Sequence, residues 1–384
     1  MKRVGVIGGG QLAWMMGDAA KKLGVELVVQ TPSSDDPAVA IAQDAILANV
    51  DDALSTEILA KRTDIITFEN EFVNLDALSL IQDQGFCFRP RLEALTPLLD
   101  KYDQRSYLQN LGLPVPQFFA LSQPKNLSSQ IEQLGFPLVL KSRRHGYDGQ
   151  GTFIIEDLAS LQQKLNLHSI DVASSQAQFL IEEFVPFERE LAIIAARSVE
   201  GEVVTYPVVE TQQEQQVCRR VIAPADLTPN QVAEIEAIAH TLLNSLEVVG
   251  VFGIELFLTK AGKILINEIA PRTHNSGHFS IDACETSQFE QHLRAVCGLP
   301  LANPALHCAS AVMVNLLGYE ISTSHYHSQR QKLAAIPQAF VHWYGKTESR
   351  PGRKLGHVTV LSDDQSRDTM ITIAHTIESI WYPS

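Results

Sequence analysis

The sequence predicts an α/β protein that begins with an open parallel sheet and continues into an α+β region. Its 384 residues exceed one ordinary hydrophobic core, so two or three domains are expected. At the start, apolar runs at Arg3 to Ile7 and Val25 to Val29 flank a helix-like stretch, Gln11 to Leu23. Further along, a hairpin pattern between Val251 and His278 ends in polar residues. These three observations indicate a mixed fold in which polar residues follow the strands.

Composition and charge narrow the classes of function. The chain carries 44 acidic and 30 basic residues, which gives a formal net charge of -14. This balance argues against non-specific binding to nucleic acid or to an anionic membrane. Five cysteines, none in a CxxC pair, fit reduced thiols, and neither a signal peptide nor an apolar run of about 18 residues is evident. We therefore expect a cytoplasmic protein without nucleic-acid or membrane partners.

The opening β-α-β unit contains a glycine turn, Gly8 to Gly10, just before its helix. Glycines at a helix N-terminus allow an anionic group to approach the free N–H donors. The pattern approximates a dinucleotide fingerprint, but Gln30 to Pro32 follow the second strand where that fingerprint needs an acid. Further strands are predicted at Ala45 to Ala48 and Asp64 to Phe68. Glu69 to Glu71 then follow a strand end, where open sheets bind ligands; the alternative is an ordinary acidic loop.

The hairpin between Val251 and His278 is the strongest candidate for a site. Phe252 to Leu258 and Lys263 to Ile269 are strand-like, and a two-residue turn at Ala261-Gly262 would place Glu255 opposite Glu268. Their Cβ atoms would then be about 5 Å apart, and two such carboxylates favour a bound cation. Hard oxygen ligands suit Mg²⁺ or Mn²⁺. The alternative is a solvent-facing hairpin with two unrelated glutamates.

The middle of the chain predicts a nucleotide-binding region. A helix at Leu99 to Leu111 is followed by a stiff connector, Gly112 to Pro116, which marks a plausible domain boundary. A strand at Phe136 to Leu140 runs into Lys141 and a glycine-rich loop, Gly146 to Gly151, able to close over phosphates. The loop is not a Walker A motif, and a long hairpin loop would have the same composition.

The next segment alternates strands with turns. Strands are predicted at Phe179 to Glu183, Glu190 to Ala196 and Val203 to Val209, and Thr228-Pro229 predicts the start of a helix that runs to about Leu246. The backbone edge at Glu182 to Val185 could match an adenine, and a carboxylate there could bind ribose hydroxyls. A solvated acidic rim is the alternative interpretation.

The last part of the chain, after Pro300, predicts a small third unit. It contains a Pro/Gly-rich turn with four cations, Lys346, Arg350, Arg353 and Lys354. A bound phosphate would remove their mutual repulsion, and arginine can hold it with two hydrogen bonds. A solubilising loop is the alternative. We favour the phosphate site.

Four motifs in this chain resemble one family. GGGQL at 8–12, GYDGQG at 146–151, INEIAPRTHNSGH at 266–278 and RPGRKLGH at 350–357 resemble the N5-carboxyaminoimidazole ribonucleotide synthetases, ATP-grasp ligases of purine biosynthesis. The resemblance implies a homodimer with a three-domain ATP-grasp architecture. Its parts would be a Rossmann-like domain at 1–100, an ATP-grasp domain at 101–298 and a C-terminal domain at 299–384. The implied substrates are ATP, bicarbonate and 5-aminoimidazole ribonucleotide, with Mg²⁺ or Mn²⁺.

The resemblance also implies roles for individual residues. The metal ligands would be Glu255 and Glu268, and the catalytic residues would be Lys141, Asp148, Arg272, His274 and Asn275. The aminoimidazole ribonucleotide would contact Gly10, Gln11, Leu12, Glu69, Tyr147, Asp148, Lys346, Arg353 and Lys354. ATP would contact Lys101, Lys141, Gly146, Tyr147, Asp148, Gly149, Gln150, Gly151, Thr152, Glu182, Glu183, Phe184, Val185, Glu190, Gln213, Asn267 and Glu268.

Two departures from the family pattern bear on these expectations. Gln213 stands where family members usually carry a histidine, so the ATP contact there and the nucleotide affinity could differ. Ala13-Trp14 replaces the Gly-Arg of GGGQLGRM and is expected to alter helix packing. Two alternatives also remain. One is another ATP-grasp ligase, such as the formate-dependent glycinamide ribonucleotide transformylase. The other is a nucleotide-binding oxidoreductase or regulator without turnover.

Overall fold

The N-terminal unit is a parallel sheet covered by helices. The computed structural model describes residues 1–121, 124–144, 151–167, 179–214 and 216–383. The sheet has the order β3-β2-β1-β4, with all strands parallel, as expected for a Rossmann-like opening. Its elements are β1 (Lys2–Ile7), α1 (Gln11–Leu23), β2 (Val25–Thr31), β3 (Asp44–Leu47), α2 (Ala53–Arg62), β4 (Ile65–Phe68), α3 (Leu75–Gln82) and α4 (Leu92–Leu95), with 3₁₀ turns at Pro37–Ala40 and Thr96–Leu98.

A small antiparallel sheet of four strands follows the N-terminal unit along the chain. Its strand order is β5-β8-β6-β7, and β6 carries Lys141 near its end. The strand predicted at Phe136 to Leu140 corresponds to β6, which pairs directly with β7, the strand that follows the glycine-rich loop. The elements are α5 (Lys101–Asn110), β5 (Phe118–Ala120), α6 (Pro124–Leu134), β6 (Leu138–Ser142), β7 (Thr152–Ile155), α7 (Leu158–Leu167) and β8 (Phe179–Glu183).

The largest sheet has nine strands and continues into the C-terminal unit. Its order is β14-β13-β9-β11-β12-β15-β17-β16, with β10 paired to β9. Its strands are β9 (Phe187–Arg197), β10 (Val203–Thr205), β11 (Val209–Glu214), β12 (Val217–Ala223), β13 (Gly250–Thr259), β14 (Ile264–Ala270), β15 (Ser310–Leu317), β16 (Ala339–Trp343) and β17 (Lys354–Ser362). Because β12 pairs with β15, the sheet crosses the predicted boundary at residue 299. The three domain ranges stay a prediction.

Helices cover both faces of this sheet. They are α8 (Pro229–Leu246), α9 (Ser280–Ala283), α10 (Gln288–Cys297), α11 (His327–Ala334) and α12 (Arg367–Trp381), with a 3₁₀ turn at Asn275–Gly277. The predicted start of α8 is confirmed, because Thr228 and Gln231 form a reciprocal capping box there. Its buried Ile235 and Leu242 pack with Phe252 and Ile254 of β13. Each such side chain contributes about 1.5–3 kcal/mol by leaving water, which holds β13 rigidly against the helix.

One strand prediction is wrong. Val203 to Val209 is not a single strand: β10 ends at Thr205, and β11 begins at Val209. Pro207 lies in the gap and has no N–H to donate to the ladder with β9, so regular pairing stops there. The Tyr206 N–H still donates to the Ile194 carbonyl at 2.8 Å. The two strands therefore remain neighbours of β9 on the same side.

Two further expectations concern the whole chain. The five cysteines all lie in the described residues, where no disulfide joins any of them, as their spacing predicted. None of the described helices combines the length and the apolar content that crossing a bilayer requires.

A buried histidine joins the N-terminal unit to the large sheet. His292 on α10 accepts the Val251 N–H at Nδ1 (3.2 Å), and its Nε2 lies 2.8 Å from the Thr67 hydroxyl of β4. Burial lowers the pKa of His292 to about 4, so the neutral ring is the folded form. Burial also lowers the pKa of His278 and of His357.

We predict that the protein loses stability as the pH falls from about 6.5 towards 4. In the unfolded chain a histidine has a pKa of about 6.5, so below this pH it binds a proton that the buried ring of the folded protein does not bind. Each such histidine therefore lowers the free energy of unfolding by up to about 1.4 kcal/mol for each pH unit. Urea titrations of the wild type and of His292→Gln should show a smaller pH dependence in the variant. The exposed His240→Gln is the control, and equal slopes for all three proteins would contradict the assignment.

Candidate active site

The site is built on the hairpin of β13 and β14. Glu255 lies directly opposite Glu268 in the pairing of the two strands, which confirms the predicted register at this pair. Ile254 and Leu256 point into the core beside α8, so the strand alternation places Glu255 and Phe257 on the other face. That face forms one wall of a large cleft.

The predicted two-residue turn is nevertheless wrong. The loop has three residues, Lys260 to Gly262, and the Thr259 N–H donates to the Lys263 carbonyl at 3.0 Å to close it. Gly262 has a φ of 77°, the left-handed conformation that ends a three-residue hairpin turn. Between this turn and Leu256 every pair is therefore shifted by one residue from the predicted register.

A β-bulge restores the register beside the two glutamates. Leu256 pairs with Ile266, whereas Glu255 pairs with Glu268, so Asn267 is the extra residue. Because of the bulge, Ile266 and Ile269 both stay in the core although three positions separate them. Asn267 and Glu268, which are adjacent in sequence, therefore both line the cleft.

Three half-buried carboxylates, those of Glu190, Glu255 and Glu268, lie close together on this wall of the cleft. Burial, and then repulsion from Glu268, raises the pKa of Glu255 to about 7. Burial, and then the charge of Glu255, raises the pKa of Glu190 on β9 to about 7 as well. His274 Nε2 lies 3.4 Å from a Glu255 oxygen, and the Asn267 amide donates to the other Glu255 oxygen at 3.4 Å. A cation at this wall would relieve the repulsion that raises both pKa values.

The donor set fits a divalent ion that prefers oxygen. Glu255 and Glu268 offer carboxylate oxygens on neighbouring strands, and Asn267 offers an amide oxygen, which here accepts from Lys141. Burial alone would raise the pKa of Glu268, but the ion pair with Lys101, together with the charges of Lys141 and Arg105, lowers it. Glu268 is thus ionised and ready to bind a metal. The set contains no soft ligand, which favours Mg²⁺ or Mn²⁺ over zinc.

Lys141 belongs to a buried ionic cluster. Its ammonium forms an ion pair with Glu182 of β8 and donates to the Asn267 oxygen at 3.1 Å. Arg105 on α5 donates to the same Glu182 carboxylate at 3.1 Å. Burial alone would raise the pKa of Glu182, but the two cations outweigh it and lower the pKa to about 2. The cluster fixes Lys141 at the wall where a polyphosphate would lie.

This geometry changes the expectation for the strand end at 182–185. The Glu182 side chain is fully engaged by the two cations and is 2% exposed, so it is not placed to bind a ribose hydroxyl. The backbone of Glu183 is paired within the sheet, and its carboxylate accepts the Gln117 N–H at 3.1 Å. An adenine edge would therefore meet the backbone of Phe184 and Val185, which both line the cleft beyond the last ladder pair.

Arg272 follows β14 and is oriented by Glu71 of the N-terminal unit. Arg272 Nε donates to Glu71 Oε2 at 2.6 Å, and its Nη2 donates to Oε1 at 3.2 Å. Nη1 donates to the Thr273 carbonyl at 3.1 Å. These bonds use three of the five guanidinium N–H groups, so the terminal edge can still donate to an oxyanion.

His274 and Asn275 complete this side of the site. His274 Nδ1 is 2.8 Å from the Ser276 hydroxyl, which orients the ring towards Glu255. Asn275 begins the 3₁₀ turn and lines the cleft. Its side-chain amide forms two hydrogen bonds with the amide of Asn315 on β15. Both predicted residues thus face the same cleft as the carboxylate hairpin.

The N-terminal glycine turn holds a carboxylate in this structure. Glu69 accepts the backbone N–H groups of Gly10 and Leu12, both at 3.3 Å. A Cβ atom on Gly10 would lie 2.5 Å from a Glu69 oxygen, so only glycine permits this approach. Burial raises the pKa of Glu69, and Arg272 and Lys346 oppose the rise. The predicted contacts of Gly10, Gln11, Leu12 and Glu69 with a ribonucleotide stay a prediction.

The cations of the Pro/Gly-rich turn lie beside this glycine turn. Lys346 Nζ donates to the Gln11 side chain at 2.6 Å and to the Lys354 carbonyl at 2.7 Å, so the C-terminal unit contacts α1. Arg353 Nη1 donates to the Glu348 carbonyl at 2.8 Å. Lys346, Arg353, Lys354 and the neighbouring Arg350 all line the cleft. Their clustering supports the predicted phosphate site.

All three units contribute to one cleft of about 1780 Å³. Ligand pockets commonly hold about 300–1,000 Å³, so this volume suits two nucleotides side by side. The predicted residues that line it are Gly10, Gln11, Leu12, Glu69, Lys141, Thr152, Glu182, Glu183, Phe184, Val185, Glu190, Gln213, Glu255, Asn267, Glu268, Arg272, His274, Asn275, Lys346, Arg353 and Lys354. Lys101 forms an ion pair with Glu268, which lines the cleft. The Gly151 carbonyl accepts the Ser142 N–H at 2.8 Å. Gly146, Tyr147, Asp148, Gly149 and Gln150 lie outside the described residues.

Sequence reasoning missed several residues that orient the site. Arg105 and Gln104 lie on α5, where a helix pattern gives no reason to expect buried polar side chains. Gln104 donates to the Ile269 carbonyl at 3.2 Å and accepts the Ile269 N–H at 3.0 Å, which secures the outer edge of β14. Asn315 interrupts an apolar strand, and that interruption is a signal that could have been used.

Two antiparallel sheets that face each other across a carboxylate-lined cleft define the ATP-grasp class of ligases. Models of known families agree. An ATP-grasp domain matches residues 106–289, a ribonucleotide synthetase preATP-grasp domain matches 1–96, and a phosphoribosylaminoimidazole carboxylase C-terminal domain matches 311–368.

Individual proteins narrow the class further. The N5-carboxyaminoimidazole ribonucleotide synthase of Synechococcus elongatus is 52% identical over 99% of this chain and 96% of its own length. A crystal structure of carboxyaminoimidazole ribonucleotide synthase from Aspergillus clavatus with ATP has a TM-score of 0.90, 30% identity and coverage of 99% and 98%. A second structure from that organism, with ADP and 5-aminoimidazole ribonucleotide, has a TM-score of 0.87, 29% identity and coverage of 98% of each chain. The chain belongs to the N5-carboxyaminoimidazole ribonucleotide synthase family of ATP-dependent ligases.

We predict that Glu182→Gln destabilises the protein by about 3–5 kcal/mol, because it leaves Arg105 and Lys141 as uncompensated buried charges. Glu188→Gln, an exposed change on β9, the next strand along the chain, is the control. Urea denaturation of both variants measures the effect. A Glu182→Gln protein as stable as the control would show that the ionic cluster is not what holds Lys141.

Proposed function

We propose that this chain joins bicarbonate to the exocyclic amine of 5-aminoimidazole ribonucleotide while ATP is cleaved to ADP and phosphate. The product would be N5-carboxyaminoimidazole ribonucleotide, a step of purine biosynthesis. The observation that carries the proposal is the convergence in one cleft of the carboxylate hairpin, Lys141, Arg272 and the cations of the Pro/Gly-rich turn. A ligase of this kind needs both a nucleotide site and a second phosphate site, and the cleft has residues suited to each.

The first step is the activation of bicarbonate. Bicarbonate is a poor electrophile, so one of its oxygens attacks the γ-phosphorus of ATP, ADP leaves, and carboxyphosphate forms. Lys141 and the terminal edge of Arg272 would neutralise the oxygens on which charge develops, mainly through their fixed positions. Glu255, Asn267 and Glu268 would hold Mg²⁺ or Mn²⁺, which when bound neutralises the polyphosphate. Their positions on two paired strands support this assignment.

The second step is carboxyl transfer. The amine of the ribonucleotide attacks the carboxyl carbon of carboxyphosphate, inorganic phosphate leaves, and the amine loses a proton. His274 and Asn275 would hold the carboxyphosphate next to Arg272, and Asp148 is proposed to orient the amine or to accept its proton. The glycine-rich loop, Gly146 to Gly151, would cover the polyphosphate together with Thr152, with Tyr147 near the ribonucleotide. Excluding water matters because carboxyphosphate hydrolyses readily.

The ribonucleotide would lie between the N-terminal and C-terminal units. Lys346, Arg353 and Lys354 would bind its phosphate, and the glycine turn with Glu69 would face its ring or ribose. The hydrogen bond from Lys346 to Gln11 supports this placement, because it already joins the two halves of the proposed pocket. A homodimer, as the family resemblance implies, and a cytoplasmic location, as the composition predicts, complete the proposal.

The reaction is tested by omitting one component at a time. ADP release is measured with ATP and Mg²⁺ in carbon-dioxide-free buffer, with and without bicarbonate and aminoimidazole ribonucleotide. We expect full release only when both are present. Release driven by formate and glycinamide ribonucleotide would instead identify the transformylase, and no ADP release under any condition would identify a binding protein without turnover.

We predict that Glu268→Gln lowers kcat by about 100-fold or more, because the variant keeps the side-chain shape but loses the charge that faces the metal. The folded protein should survive, because the Glu268 side chain is 40% exposed, unlike that of Glu182, and the loss of its charge also removes the repulsion from Glu255. Glu247→Gln, in an exposed ion pair with Arg91, is the matched control. Circular dichroism checks folding, and near-normal turnover of Glu268→Gln would overturn the metal assignment.

A further inference from the structure

An asparagine of the C-terminal unit contacts a residue of the proposed carboxylation site. Asn315 lies on β15 and is completely buried. Its amide nitrogen donates to Asn275 Oδ1 at 2.7 Å, and its oxygen accepts from Asn275 Nδ2 at 3.0 Å. The remaining N–H of Asn315 donates to the Cys218 carbonyl of β12 at 2.9 Å. The Asn315 amide is thus fixed by three hydrogen bonds.

The position is unusual for a polar residue. Ala311 and Met313 precede Asn315 on the same face of β15, and both are buried in an apolar cluster with Phe279. Replacing an apolar side chain by an amide at such a place costs free energy unless every polar atom is paired. Packing alone would therefore favour an apolar residue at 315, and the amide needs another explanation.

The hydrogen-bonded pair of Asn275 and Asn315 determines the orientation of the Asn275 amide. An amide offers two N–H donors and two oxygen lone pairs, and the reciprocal pair uses one of each. If Asn275 rotated by 180° about its last bond, its oxygen would face the oxygen of Asn315, and the two nitrogens would face each other. Asn315 cannot rotate in response without losing its bond to Cys218. The second N–H and the second lone pair of Asn275 are therefore held in one arrangement beside Arg272 and His274.

We propose that Asn315 is a positioning residue for carboxylation and acts through Asn275. It fixes the Asn275 amide so that the same N–H always meets the bicarbonate or carboxyphosphate oxygen. This inference rests on the proposed function, since it assumes that Asn275 meets that oxyanion. It gives the C-terminal unit a second role, because β15 would support the carboxyl site while the Pro/Gly-rich turn binds the ribonucleotide phosphate.

The test is a double-mutant cycle read by steady-state kinetics. Asn315→Leu, Asn275→Ala and the double variant are assayed for ADP release at saturating ribonucleotide, with bicarbonate and ATP varied separately. For Asn315→Leu we expect kcat/KM for bicarbonate to fall by about tenfold or more, with KM for ATP changed by less than about twofold. Adding Asn315→Leu to Asn275→Ala should cause little further loss, because its effect passes through Asn275.

Controls separate positioning from general damage. Met313→Leu changes packing on the same face of β15 without touching the amide pair and should keep normal kinetics. If Asn315→Leu does not fold, Asn315→Ser replaces it in the cycle. The inference would be overturned if the two single losses in kcat/KM for bicarbonate multiplied in the double variant. It would also be overturned if Asn315→Leu lowered kcat/KM equally for ATP and for bicarbonate. Normal bicarbonate kinetics in Asn275→Ala would instead refute the proposed role of Asn275 itself, whatever Asn315 does.

Discussion

The convergence of two carboxylates on one hairpin is the constraint on which the site depends. Glu255 and Glu268 lie opposite each other on a half-buried face, so water screens their repulsion only in part. The two carboxylates have different partners. Lys101 keeps Glu268 ionised, whereas Glu255 has a raised pKa and only the weaker contacts with Asn267 and His274. Two carboxylates this close lower the stability of the folded protein unless a cation binds between them. Carboxylates with perturbed pKa values are common at functional sites.

The surrounding structure serves to hold that hairpin and its cations at fixed positions. Helix α8 supports the apolar face of β13, Gln104 secures the outer edge of β14, and Glu182 keeps Lys141 beside Asn267. Contacts from outside the central part of the chain complete the site: Glu71 orients Arg272, and Asn315 contacts Asn275. A site assembled from three units in this way requires them to be packed correctly together, and the continuous nine-stranded sheet provides that rigidity.

The sequence allowed much of this to be predicted, for reasons that can be named. Apolar alternation and turn residues located the strands of the N-terminal sheet and the helix from Gln11 to Leu23, whose bounds agree with the structure. The predicted pair of Glu255 and Glu268 was correct, but two local errors cancelled. The turn is one residue longer than expected, and the bulge at Asn267 compensates for it. The sequence does carry a sign of the bulge, because the apolar spacing changes from two residues to three between Ile266 and Ile269.

What could not be predicted depends on contacts between distant residues. Nothing in the local pattern pairs Arg105 with Glu182 or Glu71 with Arg272, because these partners are 77 and 201 positions apart. Periodicity also gives no account of Glu69, whose carboxylate binds the donors of the glycine turn at Gly10 and Leu12. Buried polar pairs of this kind arise only when elements come together, so they become visible only in the three-dimensional structure.

The most direct measurement is a crystal structure of the protein with Mn²⁺ and a non-hydrolysable ATP analogue, in which anomalous scattering locates the metal. The account predicts a manganese peak bonded to carboxylate oxygens of Glu255 and Glu268 and to oxygens of the triphosphate, with Lys141 beside the phosphates. A peak elsewhere in the cleft, with the two carboxylates turned away from it, would contradict the account.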